Sequence, residues 1–325
     1  MLQKLALLQR RTLRTLAATV LVAGTGLIVA SEAVAVDVNY GVIRGLTTSN
    51  LAKENGTLDK ELSAVGDKLV WRGPYSGTPY EALSAGQVDI TFTTSTNAAA
   101  AALGNTKFVI FGYQEPDLDG EGVWVKKDAG IRTLADLKGK RIATDRGGSG
   151  HHVLLKSLEK AGLTPKDVKI SYFDPADALA AFNGGQVDAL ATWRIFGASA
   201  ETKGGGVKIA SGRDVGSENV LIYIAREAFA KEHPQAVKAV FNALAESAAQ
   251  SAKDPAATAK LWETLGKLSP EDAKIFVPPA SRPFLPVTNA LLPTLESAAA
   301  LFVKHKVVPR VPDYRPLIFD VNAVK

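Results

Sequence analysis

Two stretches of this chain repeat one another and narrow the folds open to it. Residues 82–89 read ALSAGQVD and residues 181–188 read AFNGGQVD, an offset of 99 residues. Each follows a β-like run and a proline-containing turn, Pro74 to Pro79 in one case and Pro175 in the other. In each, a short helix is expected to end at a glycine, Gly86 or Gly185, the residue best able to adopt the left-handed conformation of a helix C-terminus. A strand should then begin at Val88 or Val187. A second echo lies upstream: Arg44-Gly45 heads a Thr/Ser turn and a helix, and Arg146-Gly147 heads a Gly/Ser turn and a helix. The duplication predicts two similar α/β lobes.

The intervening sequence agrees. Runs rich in β-branched and aromatic residues predict strands over 37–43, 68–72, 107–111, 122–126, 141–144, 168–172 and 221–225. Helical patterns fill 151–161, 176–183 and 234–252, and the chain from Glu227 onward reads as mainly helical. Alternation of this kind produces parallel sheets covered by helices. A length of 325 residues suits two lobes, and 46% hydrophobic with 22% charged residues excludes a disordered or fibrous chain.

The N-terminus carries an export pattern. A basic stretch ends at Arg14, an apolar run spans 16–30, and the small-x-small site Ala33-Val34-Ala35 follows. Residues 1–35 therefore read as a cleaved secretory signal peptide, which places the mature protein in the periplasm. Arg10-Arg11 leaves the route open between the general and twin-arginine pathways. The segment also carries most of the excess charge: without it 34 basic face 32 acidic residues, a net of +2. No long basic stripe remains to engage nucleic acid. The chain contains no cysteine, which excludes disulfides, thiolate metal sites, cysteine nucleophiles and a lipid-anchoring cysteine.

Three turns are candidates for ligand binding. In Arg146 to Leu163 a strand enters a Gly-rich turn (Gly148, Ser149, Gly150) and a helix begins at once, so unpaired N–H groups and the positive helix end form a potential anion site. Ser149 can cap this helix, and His151 can donate to an anion from its ring. Gly45 to Ser49, with Thr47 and Thr48, offers hydroxyls at a helix start in the first lobe. Thr93, Thr94 and Ser95 open a third polar turn. Each is equally readable as an N-cap, but all three follow strands, where open α/β sheets place ligands. After the second repeat, Trp193 can form an apolar wall and Arg194 can neutralise an acidic ligand. His151 and His152 are neighbours that diverge on a helix, with no third ligand in reach, so no metal site and no cofactor are expected. No nucleophile elbow or paired carboxylates are found.

The run LADLKGKRIATDRGGSGHHVLLKSLEKAGLTPKDVKISYFDPADALAAFNGGQVDALATW, residues 134–193, resembles the aliphatic-sulfonate and taurine binding proteins of ABC importers, with nitrate and thiamine-precursor receptors more distantly similar. The tail PPASRPFLPVTNALLPTLESAAALFVKHKVVP resembles that family's C-terminal helices. The resemblance implies a type II periplasmic-binding-protein fold, with a ligand cleft between two α/β lobes: 36–126 plus 221–325, and 127–220. It maps ligand contacts onto Thr48, the turn from Thr93 to Ser95, Gly148 to His151 and Trp193. It departs at Gly148 and Gly150, where that family commonly has serines, and at Arg194-Ile195, where an acidic residue and proline are usual. The implied function is that of a monomeric receptor that closes on a small organic anion, most readily an aliphatic sulfonate, and delivers it to an ABC permease. Nitrate, a pyrimidine precursor or a sensory role are the alternatives. The enzymes on this fold resemble cysteine-dependent catalysts, so no enzymatic activity is expected.

Overall fold

The computed structural model describes residues 35–325. All but the last residue of the proposed signal peptide lies outside the described residues.

Among the described residues, eleven strands form two mixed sheets. The first contains β1 (Asp37–Ile43), β2 (Lys68–Tyr75), β3 (Ile90–Thr94), β4 (Phe108–Gln114), β10 (Leu221–Arg226) and β11 (Phe284–Pro286), in the order β11-β4-β10-β3-β1-β2. The second contains β5 (Gly122–Lys126), β6 (Arg141–Thr144), β7 (Lys169–Tyr172), β8 (Ala189–Thr192) and β9 (Gly206–Ser211), in the order β7-β6-β8-β5-β9. β1 lies parallel to β2 and β3, as β6 does to β7 and β8. β10 runs antiparallel to β3 and β4, as β5 does to β8 and β9. The two sheets thus share one plan, and each takes its antiparallel strand from the far side of a crossing, residues 115–121 or 212–220.

This arrangement corrects one expected boundary. Residues 122–126 do not belong with the first lobe; β5 pairs with β8 and β9. Val123 and Val125 are buried with Ile142, Ala189 and Ala191 on one face of the second sheet, and Trp124 with Ala143 and Leu190 on the other. The first crossing precedes this strand, a fact that an apolar run alone does not disclose.

Side-chain alternation along strands builds two-sided cores. In β10, Ile222 and Ile224 enter a cluster with Phe108, Ile110 and Leu295, whereas Tyr223 and Ala225 face Tyr40, Phe111 and the long helix Pro234–Lys253. Two strands, β9 and β11, were not evident in the sequence; both are at sheet edges, where less of the side-chain pattern is buried.

The repeat has a structural reason. Gly86 and Gly185 have φ values of 71° and 72°. The repeated aspartates fasten the start of the neighbouring strand: Asp89 Oδ2 accepts from the Asn39 N–H at 3.0 Å, and Asp188 Oδ2 accepts from the Arg141 N–H at 2.8 Å. A guanidinium supports each carboxylate, from Arg226 on Asp89 and Arg141 on Asp188. The strands begin at Ile90 and Ala189, two residues later than the expected Val88 and Val187.

The C-terminal helix Leu292–Lys304 ties the halves together a third time. Leu301, Phe302 and Val308 bury Leu155 of the helix Ser149–Lys160, and Glu159 pairs with Lys304 at 2.7 Å and His305 at 2.8 Å.

Candidate functional site

The turns at the C-terminal ends of β3 and β6 meet at one side chain of the second crossing. Asn219 is buried. Its Oδ1 accepts from Ser95 Oγ and Thr96 Oγ1, each at 3.2 Å, and its Nδ2 donates to Ser149 Oγ at 2.8 Å and to Glu121 Oε1 at 2.5 Å. One carboxamide therefore joins the first sheet's turn, the second sheet's turn and the first crossing. Ser95 also holds the crossing's backbone: its N–H donates to Val220 O, and its Oγ accepts from Val220 N.

Glu121 lies behind this contact, with Ser217 Oγ donating to its Oε2 at 2.8 Å. Burial pushes its carboxyl up to about 8, against the lowering effect of Asn219 and Ser217, while Asp117 and Asp145 raise it further. Ser217 Oγ also lies 3.4 Å from His152 Nδ1. Burial draws His152 down to about 4, so the chain Glu121–Ser217–His152 is neutral near pH 7.

The glycine turn is built differently from its expected form. Gly148 occupies the N-cap of Ser149–Lys160, and the first helical residue is Ser149. The capping role expected of Ser149 is therefore corrected: its hydroxyl turns to Asn219, and Asp145 Oδ1 accepts from His151 N at 3.2 Å. A carboxylate of the chain itself already occupies the positive helix end. The two glycines make room for it. A Cβ on Gly148 would stand 1.7 Å from Asp145 Oδ2, and one on Gly150 would stand 2.4 Å from Ala191 O and 2.5 Å from Asp145 Oδ1. Burial pushes Asp145 up to about 6 despite the N–H groups that favour its charge.

His151 does not present a free ring donor. Its Nδ1 accepts from Gly147 N–H at 3.2 Å, and its Nε2 lies 3.2 Å from Tyr172 OH. Acceptance at Nδ1 places the proton on Nε2. Burial, followed by Arg146 and His305, lowers this imidazole to about 4. The ring holds the turn in place; its expected role as an anion donor is not what the geometry provides.

The remaining candidates occupy the same ends of the strands. Thr47 Oγ1 donates to Asn50 Oδ1, and buried Thr48 donates to Gln114 Oε1, both at 2.8 Å. Thr93 Oγ1 is 2.8 Å from Tyr80 OH, and Thr94 caps its helix by accepting from Asn97 N. Trp193 is half-buried and meets Phe196 edge-on at 5.1 Å. Arg194 gives its fork to Asp117, Nε to Oδ2 at 2.5 Å and Nη2 to Oδ1 at 2.7 Å, and Arg282 reaches the same carboxylate at 3.3 Å. Asp117 belongs to the first crossing, so this cluster also links both sheets. Asn219, Glu121, Asp145 and Asp117 went unnoticed in the sequence. The pairing of Asp145 with a following Gly-Gly was the one local signal available. Two open surface hollows, lined by Leu83, Asn105, Arg226 and Glu227 and by Arg132, Leu134, Lys160 and Asp214, include none of these turns.

Two like-built lobes, crossed twice by the chain and meeting at the ends of their parallel strands, define a type II periplasmic-binding-protein fold. The chain belongs to the NMT1/THI5-like family, whose model matches residues 71–258. It is 29% identical over 294 residues, 90% of this chain and 91% of its relative, to a protein of Escherichia coli (strain K12) described as a candidate aliphatic sulfonates-binding protein. Two solved structures have the same fold. The alkanesulfonate-binding protein SsuA from Xanthomonas axonopodis pv. citri, bound to MOPS, superposes with a TM-score of 0.79 at 26% identity, over 87% of this chain and 98% of that one. The periplasmic aliphatic sulphonate binding protein SsuA from Escherichia coli superposes with a TM-score of 0.76 at 28% identity, over 87% and 92% of the two chains.

Proposed function

We propose that this protein is the periplasmic receptor of an ABC importer, that its ligand is a small organosulfonate, and that it releases that ligand unchanged to a membrane permease. The observation that carries the reading is the convergence of Ser95, Thr96 and Ser149, from both sheets, on Asn219 in a crossing segment. The names of its relatives supply the ligand class.

In this reading the two sheets with their helices act as rigid lobes. Residues 115–121 and 212–220 form the hinge, and a ligand that touches both lobes favours the closed state. Thr47, Thr48, Thr93, Thr94, Ser95, Gly148, Ser149, Gly150, Trp193 and Arg194 line or support the cleft. Hydroxyls that bond within the protein here can rotate toward a bound oxyanion. A micromolar ligand requires about 8 kcal/mol, which a few charge-assisted hydrogen bonds of about 1.5–3 kcal/mol each supply after ordering costs. The receptor acts as a monomer after export.

Thermal unfolding against taurine, alkanesulfonates, aryl sulfonates, sulfate esters, sulfate, nitrate and carboxylates tests the proposal. A ligand at 100 times its Kd adds about 2.7 kcal/mol, a shift of several degrees. A shift confined to organosulfonates is expected. A shift with nitrate alone, or none across the panel, refutes the ligand class.

A further inference from the structure

One carboxyl fastens the two crossings to each other. Glu121, the last residue of the first crossing, is buried and meets the second crossing through both oxygens: Asn219 Nδ2 lies 2.5 Å from Oε1 and Ser217 Oγ 2.8 Å from Oε2. The backbones are joined at the same place. Gly212 N–H donates to Glu121 O at 2.9 Å, and a Cβ on Gly212 would stand 2.9 Å from Leu118 O and 3.1 Å from Ser217 Cβ. Asn219 in turn holds Ser95 and Thr96 of the first lobe and Ser149 of the second. Lobes that rotate apart about these crossings therefore pull on the bonds that enclose this carboxyl.

Two proton arrangements satisfy the geometry. With Glu121 ionised, Ser217 O–H donates to Oε2, His152 Nδ1–H faces Ser217 Oγ at 3.4 Å, and a negative charge lies buried in the hinge. With Glu121 protonated on Oε2, it donates to Ser217 Oγ, Ser217 donates to His152 Nδ1, and the chain is uncharged. His152 Nε2, buried and without a hydrogen-bond partner among the described residues, then carries the ring proton. The surroundings favour the uncharged arrangement. Asp117, shared by Arg194 and Arg282, and Asp145 of the glycine turn both oppose ionisation of Glu121. On the His152 side stand Lys156, paired with Glu218, and also His151 and Glu159.

We propose that Glu121 is the positioning residue of the hinge and that closure of the lobes on a ligand takes up a proton at its carboxyl. This inference rests on the receptor reading above and deepens it. Closure dries the crossings and leaves the carboxyl with Asn219 and Ser217 alone, too few donors to hold a buried charge. Opening admits water, and the group ionises. Burial holds the enclosed carboxyl up at about 8, whereas a hydrated glutamate titrates near about 4.3. Between these values the closed form binds the extra proton, so rising pH favours the open form. By linkage, ligand affinity falls as the pH rises toward about 8 and levels off above it. Asp145, pushed up to about 6, and His151 and His152, drawn down to about 4, titrate below this window.

Calorimetry in two buffers of different ionisation enthalpy counts the proton, with ethanesulfonate as the probe because it has no group that titrates near neutral pH. At about pH 7.5, uptake of about 0.5–1 proton per ethanesulfonate is expected, and affinity should fall about three- to tenfold from about pH 7 to about pH 8. In Glu121→Gln both effects should vanish. A second arm needs no ligand. The chain contains no cysteine, so dyes on Lys203→Cys in the second lobe and Lys253→Cys in the first, both exposed positions, report lobe separation by energy transfer. Transfer should fall between about pH 6 and about pH 8.5 in the otherwise unaltered protein and stay level once Glu121→Gln is added. If Glu121→Gln does not fold, infrared difference spectra of the unaltered protein serve instead: a protonated-carboxyl band that grows as ethanesulfonate binds is expected, and its absence overturns the inference. Affinity and energy transfer that both ignore pH over this range, or a pH dependence that survives Glu121→Gln, overturn the inference and leave the receptor reading intact. Ethanesulfonate that fails to bind overturns the sulfonate reading, and the energy transfer then decides this inference alone.

Discussion

Asn219 in the second crossing and Ser149 at the head of the second lobe's helix are joined by a 2.8 Å hydrogen bond, and the same carboxamide carries three further bonds. The four partners are buried or nearly so, which makes the loss of this side chain expensive. Asn219→Ala is expected to lower unfolding free energy by about 1–3 kcal/mol, the range for stranding buried polar groups. It should also weaken ligand binding, since the tie between the two turns is gone. Urea denaturation and calorimetry on the same sample measure the two losses separately.

Glu121 gives the protein a pH signature. Its folded value is about 8, above the unfolded value of about 4.3. The folded chain therefore keeps a proton that the unfolded chain has released. The stabilisation is complete below about 4.3 and is lost as pH rises through about 8. His151 and His152, both lowered to about 4, act in the opposite sense: their contribution is present above about 6.5 and is lost as pH falls through about 4. Asp145, raised to about 6, adds to the Glu121 effect below that pH. Between about pH 4.5 and 6 the two histidines and the two carboxyls nearly cancel. Above about 6.5 Glu121 acts alone, and stability should fall by about 1.4 kcal/mol per pH unit up to about pH 8. Glu121→Gln should remove that decline. Urea unfolding at pH 5, 6.5 and 8 checks it; an unchanged slope in the variant assigns the proton elsewhere.

Gly148 and Gly150 differ in what they press against. A Cβ at Gly150 meets the backbone oxygen of Ala191 at 2.4 Å, and strand β8 cannot yield. Gly150→Ala should cost about 1–3 kcal/mol, the usual range for overpacking. A Cβ at Gly148 meets the Asp145 side chain, which can rotate away. Gly148→Ser should therefore fold with a smaller loss, and Asp145 should leave the turn, as a crystal structure of the variant would reveal.

Arg194 and Arg282 share Asp117. The pairs are largely shielded, with about a fifth of each side chain exposed, so a figure above that for a surface ion pair applies. Arg194→Ala should cost about 1–2 kcal/mol of stability. It should raise the ligand's dissociation rate through looser closure more than it lowers the association rate. Stopped-flow binding separates the two. A fall in association with a reduced salt dependence would instead mean that Arg194 meets the anion directly.

Much of this architecture was legible because it is local. The period of apolar residues sets β1, β4, β6 and β10 and the helices 149–160 and 234–253, whose positions depend on side-chain alternation and on glycine and proline at their ends. The duplicated GQVD is legible for the same reason: Gly86 and Gly185 must take positive φ, and an aspartate must follow to hold the adjacent strand. The meeting of the turns after β3 and β6 was legible as a tendency, since both follow strands.

The sequence by itself determined the alternating elements, the two like-built lobes and the residue types at the strand ends. Only the tertiary structure decided which lobe owns β5, because strand pairing joins residues far apart in sequence and an apolar run fits either sheet. It alone decided the partners of the site. Asn219 meets Ser95 and Ser149 across 124 and 70 residues, and Asp117 meets Arg194 across 77. Those contacts arise where two crossings bring the lobes together. They turned Ser149 from a cap into a hydrogen-bond acceptor, His151 from a donor into a brace, and Asp145 into the carboxylate that accepts from the first turn of the helix Ser149–Lys160.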